Sequence, residues 1–558
     1  MTHLHPLHLL LLISAAAAAA VSTTGVDEAH VSAVVAEKGL AFAKDVLIGE
    51  AVRSLTPLRL PGVEKAVRVP FLGGVRVAAS NITLFHLDVG DNSAVYPGDS
   101  GLVVVASSIT ANISMHWSYC YDSWLFPIEI ADSGTASILS KKVSFYICKV
   151  QGMEVGITMV IKNSNGSLAM SVSQCGCYVK DLVISLDGGA SWFYQGFINA
   201  FRDHIKSAVE KAIPENIIEG AGKLDSFLQS FPRTVNLDEV AALNMTFVND
   251  PHYGNSSIEF DINGLITSAV AKTTNLQKHP HLSLSCGGAS KMLLLSLDED
   301  VLNSALEVYF KAGSMHWVVD KVPDQSLLNT ASWKFIIPRL YWNYPNDDML
   351  LNISMASSPV ISITSENIGA TINTDMIIDV IHNKEIVPVA CISVVVSASG
   401  IVETSSNKVY GRVGLDNFSL ALKWSKIGNF HMSLIQSNGV KEHGKLLAKG
   451  LYKGGMRMFM CSWIICQGMI FTSLTVCVWY AELNNHNKML PLQGVIRVFL
   501  NTVCMPYLNS RLGNGFILPV FQGFTLNDVY VVTSAEQLTL CSDVAFANAS
   551  SWAALPRL

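Results

Sequence analysis

Much of this chain alternates apolar and polar residues with period two, and a few segments of helical period punctuate it. The longest alternation covers residues 101–119. Val103, Val105, Ile109, Ile113, Met115 and Trp117 share one parity; Ser108, Thr110, Asn112, Ser114 and His116 take the other. Strands of that length belong to strongly curved antiparallel sheets with one wet face. Further strands are expected at 157–161, 168–174, 179–186, 258–262, 351–355, 368–380 and 521–532. Val409, Val413 and Leu415 alternate until the phase slips at Asp416-Asn417, after which Phe418, Leu420 and Leu422 carry the apolar face. That slip predicts a long strand with a bulge.

Four segments have helical spacing. Val31, Val34, Val35, Phe42 and Val46 form the first apolar stripe. Ile198, Phe201, Ile205 and Val209 form the second, with a helical tail past Pro214 to Phe231. Leu302, Leu306 and Tyr309 follow Ser296-Leu-Asp-Glu299, a capping-box pattern. Val495, Phe499, Val503 and Leu508 end at a Gly stop followed by Pro519. Each half therefore reads as helix, antiparallel strands, long helix, a duplicated α+β architecture. The first half spans 23–235, a polar, proline-interrupted link spans 236–254, and the second half spans 255–558.

Half of the residues are apolar and 15% are charged, enough to bury large cores and leave apolar surface for a ligand. A net charge of −6 argues against nucleic acid, which demands clustered Lys and Arg. Residues 1–22 lack acids and carry an apolar Leu-rich core before a run of Ala, as a signal peptide does. Glycosylation sequons at Asn81, Asn112, Asn165, Asn244, Asn255, Asn352, Asn417 and Asn548 agree with a secreted, extracellular protein. No nucleophile elbow, His-Glu-x-x-His or phosphate loop is present, so no enzyme, metal or cofactor is expected. Asp298-Glu-Asp300 reads as helix-dipole complementation.

Several short motifs lie in order along the chain: Ala36-Glu-Lys-Gly-Leu40, Leu58-Arg-Leu-Pro61, Cys175-Gly-Cys-Tyr178 and Leu186-Asp-Gly-Gly-Ala-Ser-Trp192. Lys423-Trp-Ser-Lys-Ile-Gly-Asn-Phe430, Pro506-Tyr-Leu-Asn-Ser-Arg-Leu512 and Gly515-Phe-Ile-Leu-Pro519 follow. With these the chain resembles the family of bactericidal/permeability-increasing protein and lipopolysaccharide-binding protein, most of all its plant members. The resemblance implies a boomerang of two similar barrel-like domains, each a curved antiparallel sheet with long helices, joined by a central sheet. It implies apolar pockets for the acyl chains of lipopolysaccharide or phospholipid, a bacterial or vesicle membrane surface as partner, and a role in defence against bacteria. Lipid-lining candidates are Val35, Phe42, Val46, Phe197, Phe201, Ile205, Leu302, Leu306, Phe499 and Leu508. A phospholipid transfer protein without microbial role would use the same pockets.

The chain departs from that family in four places. Residues 138–148 look inserted, and residues 437–493 break a segment that should be nearly continuous. Within the second insert, residues 458–481 are uncharged and contain three Cys. Taken alone they pass as a transmembrane helix, which keeps a membrane-tethered lipid receptor open; a retained intron or gene-model error is the preferred reading. The family's animal members carry a disulfide from the Cys175/Cys177 strand to the following helix, which here has no Cys. Cys120 and Cys148 remain possible partners, and unpaired thiols are equally consistent. The hairpin expected to bind headgroups is aromatic (Trp117, Tyr119, Tyr121, Trp124) and lacks the family's cations; Arg59, Lys65 and Arg68 are the nearest candidates. Residues 23–240 hold 17 Lys and Arg against 22 Asp and Glu. The aromatics are either an interfacial wedge or buried hairpin packing.

Overall fold

A computed structural model describes residues 28–69, 73–121, 130–133, 146–184, 191–268, 286, 290–405, 408–428, 490–517 and 524–546. The described chain begins with strand β1 (Val31–Val35) and helix α1 (Glu37–Ser54). The first-half strands are β2 (Leu58–Leu60), β3 (Val63–Val69), β4 (Gly73–Asp88) and β5 (Ser93–Gly98). β6 (Gly101–Tyr121), β7 (Ile130–Ser133), β8 (Tyr146–Ser164) and β9 (Ser167–Ile184) complete them. They form one sheet in the order β2-β4-β6-β8-β9, with β3 on β4 and β5 and β7 on β6. Helix α2 (Ser191–Gln229) lies along this sheet and continues through Pro214.

Short strands β10 (Thr234–Asn236), β11 (Ala242–Asn244), β12 (His252–Tyr253), β13 (Ile258–Ile262) and β14 (Ile266–Thr267) connect the halves. β15 (Leu293–Asp298) leads into helix α3 (Glu299–Lys311). The second-half sheet uses β16 (His316–Val319), β17 (Asp348–Met355), β18 (Val360–Ile363), β19 (Ile368–His382), β20 (Glu385–Ser405), β21 (Lys408–Ser425) and β22 (Phe516–Ile517). Helix α4 (Pro338–Asn343) precedes β17; α5 (Leu490–Phe499) and α6 (Met505–Gly513) flank a π-helical turn before β22. β23 (Phe524–Ser534) and β24 (Gln537–Phe546) return to the middle. There they pair into a central sheet, β12-β13-β1-β15-β24-β23. This sheet reaches well beyond residues 236–254, because the start and the end of the described chain meet in it.

The expected bulge in β21 is present: Ser397 pairs with Asn417 and Ala398 with Leu415, so Asp416 is the extra residue. Other expectations need correction. Residues 31–35, read as the start of a helix, are a strand, and Val35 pairs with Ile258 and Leu293. β6 also bulges, between Ala106 and Ile109, and Ser108 takes a positive φ of 58°. The bulge reverses parity, so Val104 is buried while Val105 is exposed, and Val103 lies on the outer face with it. No capping box forms before α3: Asp298 occupies the cap position, Ser296 sits in β15 and Glu299 accepts from Ile363 N at 2.7 Å. The buried stripe of α3 is Val301, Ala305, Val308 and Tyr309, leaving Leu302 and Leu306 half-buried. Cys148 pairs across the sheet with Ile113, seven residues from Cys120 on β6. Seven residues of strand span roughly 23 Å, well beyond disulfide reach. Cys175 and Cys177 are free thiols, and among the described residues the disulfide is Cys286–Cys541.

Helix side chains close the open sheet edges. On edge strand β9, Val179 N donates to Glu210 Oε1 at 2.9 Å and Met170 N to Asp225 Oδ1 at 2.7 Å. Asn303 of α3 accepts from Ile361 N at 2.8 Å and donates to Ile361 O at 3.0 Å. Asn509 of α6 does the same for Val413, at 2.8 and 2.9 Å. Each Asn amide stands in for the missing neighbouring strand. Gly411 lets α6 approach: a Cβ there would meet Leu512 at 3.3 Å.

In the central sheet, buried Lys291 binds Asp528 and, at 3.1 Å, Asp543, which also accepts from Lys38 at 2.9 Å. Burial alone would lower the Lys291 ammonium pKa, but hydrogen bonds to Asp528 and Asp543 more than offset it and hold the pKa raised. Burial alone would raise the Asp543 carboxyl; Lys38 and Lys291 outweigh it and hold it below the usual carboxylate range.

Two outcomes follow for stability. Asn509→Ala should cost about 1–3 kcal/mol, read as a lower urea midpoint, because it strands a backbone donor and an acceptor. A depressed carboxylate contributes stability above its unfolded pKa and loses it as pH falls through the folded one. The Asp543 contribution should therefore be intact at neutral pH and disappear below about pH 4. In Lys38→Met/Lys291→Met the acid limb of the melting-temperature profile should be shallower.

Candidate binding cavity

The first-half sheet curls around α1 and α2 without filling the space between them. The main core holds the first part of α2, with Ile198, Phe201, Ile205, Val209 and Ile213 packed on β2, β4, β6, β8 and β9. A smaller cluster at the far end joins Val104, Met159 and Met170 to Leu47, Ala221, Leu224 and Leu228. Between the two lies a cavity of about 910 Å³, counted out to its open mouth.

Its wall is aliphatic on every side. Helix α1 supplies Leu47, Ile48, Ala51 and Val52, with Leu55 at its C-terminal cap; α2 supplies Ile213, Ile217, Ala221 and Leu224. The sheet supplies Leu87, Val104, Ala106 and Ile109, with Met153, Val155, Ile157 and Met159 from β8, and Val89 follows just after β4. The β6 bulge brings Ala106 and Ile109 to the same wall. Two methionines give that wall adaptable shape. The polar lining side chains are Ser54 and Asn216, and both donate to their own helix. Ser54 Oγ reaches Ala51 O at 2.9 Å, and Asn216 Nδ2 reaches Ala212 O at 2.8 Å. Chemically the described wall can receive hydrocarbon and offers no ionised group.

The sequence-expected lining residues lie elsewhere. Val35 is in the central sheet, and Phe42 and Val46 are on α1 but outside the cavity wall. Phe201 and Ile205 are fully buried core residues, and the Phe197 side chain lies outside the described set. Leu302 and Leu306 sit half-buried on α3; Phe499 is in the second-half core and Leu508 is half-buried on α6. The signal that marks this cavity's wall is Ile213, Ile217 and Leu224 around Gly220-Ala221: an apolar stripe interrupted by its smallest residues.

The headgroup candidates separate in the same way. Trp117 is 6% exposed within the main core, which makes it hairpin packing and not an interfacial wedge. The backbones of Tyr119 and Tyr121 pair with Asp132 and Ile130, and Trp124 lies outside the described residues. Arg59, Lys65 and Arg68 are exposed on β2 and β3. Among the sequons, Asn81, Asn165 and Asn255 are exposed and Asn112, Asn244, Asn352 and Asn417 half-buried; Asn548 lies outside the described residues. Among the described residues, no group of His, Cys, Asp and Glu could hold a metal ion. No described helix is long and apolar enough to cross a membrane, and residues 458–481 lie outside that set.

Comparison with known proteins agrees with this architecture. Residues 39–231 match the N-terminal domain of the LBP / BPI / CETP family and residues 235–439 its C-terminal domain. The second match stops beside the interruption expected from Ser437. A BPI/LBP family protein of Arabidopsis thaliana is 41% identical over 95% of both chains. Human lipopolysaccharide-binding protein is 22% identical over 73% of this chain and 82% of its own length. A crystal structure of lipopolysaccharide binding protein superposes with a TM-score of 0.55 at 18% identity, covering 93% of this chain and 100% of that one. The fold is thus the two-domain one of that structure, with a curled half-barrel sheet and long helices in each half. On these matches the chain is a member of the LBP / BPI / CETP family.

Proposed function

We propose that this protein is a secreted lipid-binding protein that takes the acyl chains of lipopolysaccharide or phospholipid into the first-half cavity, serves in defence against bacteria, and performs no covalent reaction. The observation that carries this reading is the wall itself: aliphatic on all sides, with its two polar residues spent on their own helices. Such a wall gains about 0.8 kcal/mol per methylene buried and has nothing to gain from a polar ligand. Relatives named lipopolysaccharide-binding protein support the choice of ligand. The sequons and the leader-like residues 1–22 support secretion.

A second reading, phospholipid transfer without microbial role, is favoured by one specific observation: the described wall carries no cation for a lipid A phosphate. Headgroup discrimination would then be weak.

Protein purified from a secretory host should release phospholipid or lipid A on solvent extraction, at a defined molar ratio. Ala221→Trp fills the cavity at an overpacking cost of about 1–3 kcal/mol. It should still melt cooperatively but lose most of that lipid; native lipid content in this variant would remove the cavity from the reading.

Acyl chains already held in the cavity should be retained from low to high salt, since screening acts on exposed charge and not on buried hydrocarbon. Efficient transfer between neutral vesicles without micelle binding would favour the second reading. Trp117→Ala should act through stability, costing about 3–5 kcal/mol as a large core truncation.

A further inference from the structure

The three most exposed large hydrophobic side chains among the described residues are Trp342 at 73%, Phe335 at 65% and Ile386 at 62%. They come from two chain segments that meet at one end of the second half. Trp342 is on α4, Phe335 lies just before it, and Ile386 sits in the β19–β20 hairpin opposite Ile381. The hairpin and the α4 segment touch: the Tyr344 and His382 rings are 5.4 Å apart, and His382 Nδ1 is 2.6 Å from Asp347 Oδ2. The end of β21 closes the group, where Lys426 N donates to Val389 O at 2.8 Å and Arg339 packs against Gly428. Beneath them Trp333, Ile337, Leu340, Val380, Val389 and Ile427 are buried in the second-half core. The exposed side chains therefore stand on a fixed base.

Charge sorts with them. Residues 331–343, 381–386 and 424–428 carry Lys334, Arg339, Lys384 and Lys426 against the single acid Glu385, in a chain of net charge −6. Asp347 and Asp348 lie nearby but accept from His382 and Asn329. Lys334 lies 4.8 Å over the Phe335 ring and Lys426 5.9 Å over Trp424. No sequon falls in the three segments, so a glycan would not cover them. Aromatic rings beside cations, over a rigid apolar base, match the headgroup level of a lipid surface with negative charge.

We infer that this end of the second half docks on anionic lipid surfaces, separately from the cavity in the first half. The aromatic and Ile side chains enter the interface while the cations meet headgroup phosphates. Only the choice of partner rests on the lipid-binding reading.

The full chain should co-float with vesicles of phosphatidylcholine containing phosphatidylglycerol, more than with phosphatidylcholine alone. Phe335→Ser/Trp342→Ser/Ile386→Ser should reduce partitioning to both on the order of tenfold. Lys334→Glu/Lys384→Glu/Lys426→Glu should reduce only the anionic preference, by roughly fivefold per charge removed. Both variants should keep the native melting temperature and extractable lipid. The cavity-filled Ala221→Trp protein should float like the native chain, so loss of the cavity reading would leave docking standing. Native-like flotation of both surface variants would overturn the inference. So would a native chain that binds neither vesicle, which would assign this end to a protein partner.

Discussion

Long curved sheets leave edges, and an unpaired edge must be satisfied or it recruits another chain. In this protein the answer is the same on three edges: a helix lies along the edge and its side chains take the backbone groups. Glu210 and Asp225 lie 15 residues apart on α2 and fix it to β9 at two points nine residues apart. Asn303 and Asn509 each bracket one strand residue with both halves of an amide. A helix held by such contacts is positioned by the strand edge and does not need to fill the concave face. That leaves room between α1, α2 and the sheet, and the room is the cavity. Closing the edge and opening the cavity are one geometric fact.

The central sheet imposes the second constraint. β1 pairs with β13 and β15, and β15 pairs with β24, so the beginning of the described chain cannot settle until its end arrives. Buried Lys291 ties β24 and the β23 bend to the approach of β15, and Lys38 at the start of α1 shares Asp543 with it. Gly39 is forced by the same junction: a Cβ there would stand 2.3 Å from Met292 O. The motif Ala36-Glu-Lys-Gly-Leu40 is thus a helix start fitted to a strand, and its Gly has a steric reason.

Period-two patterns made the sheets legible, and even the slip at Asp416 showed in the order of side chains, because a bulge shifts parity by one residue. The bulge at Ser107-Ser108 did not show. Three valines run together just before it, and Val103 and Val105 are as apolar as Val104, so parity alone gave the wrong face. Helix phase failed for a related reason. In α3, Leu302 and Leu306 are larger than Val301 and Ala305, yet close packing favours the smaller pair. The cavity was hardest to see, since a void is marked by what is small. Gly220 and Ala221 carry little weight in a search for large apolar residues, whereas Phe201 and Ile205 carry much and belong to the core. Trp117 was ambiguous because a Trp suits a membrane interface and a hairpin core alike, and only burial separates the two.

Affinity can be weighed against these features. About ten methylenes buried against the cavity wall would gain on the order of 8 kcal/mol. Association costs about 4–15 kcal/mol in lost freedom before any net binding appears. A single acyl chain in this cavity is therefore close to break-even when it must be captured from dilute solution. Two remedies exist: more hydrocarbon buried at once, or a lipid supplied at high effective concentration. The described cavity wall has no cation to make up the deficit through a headgroup. A second contact on a lipid surface, held by side chains remote from the cavity, supplies the effective concentration without adding any group to the wall. The division of labour follows from the chemistry of the wall: a site built only of hydrocarbon must leave the finding of its ligand to another part of the molecule.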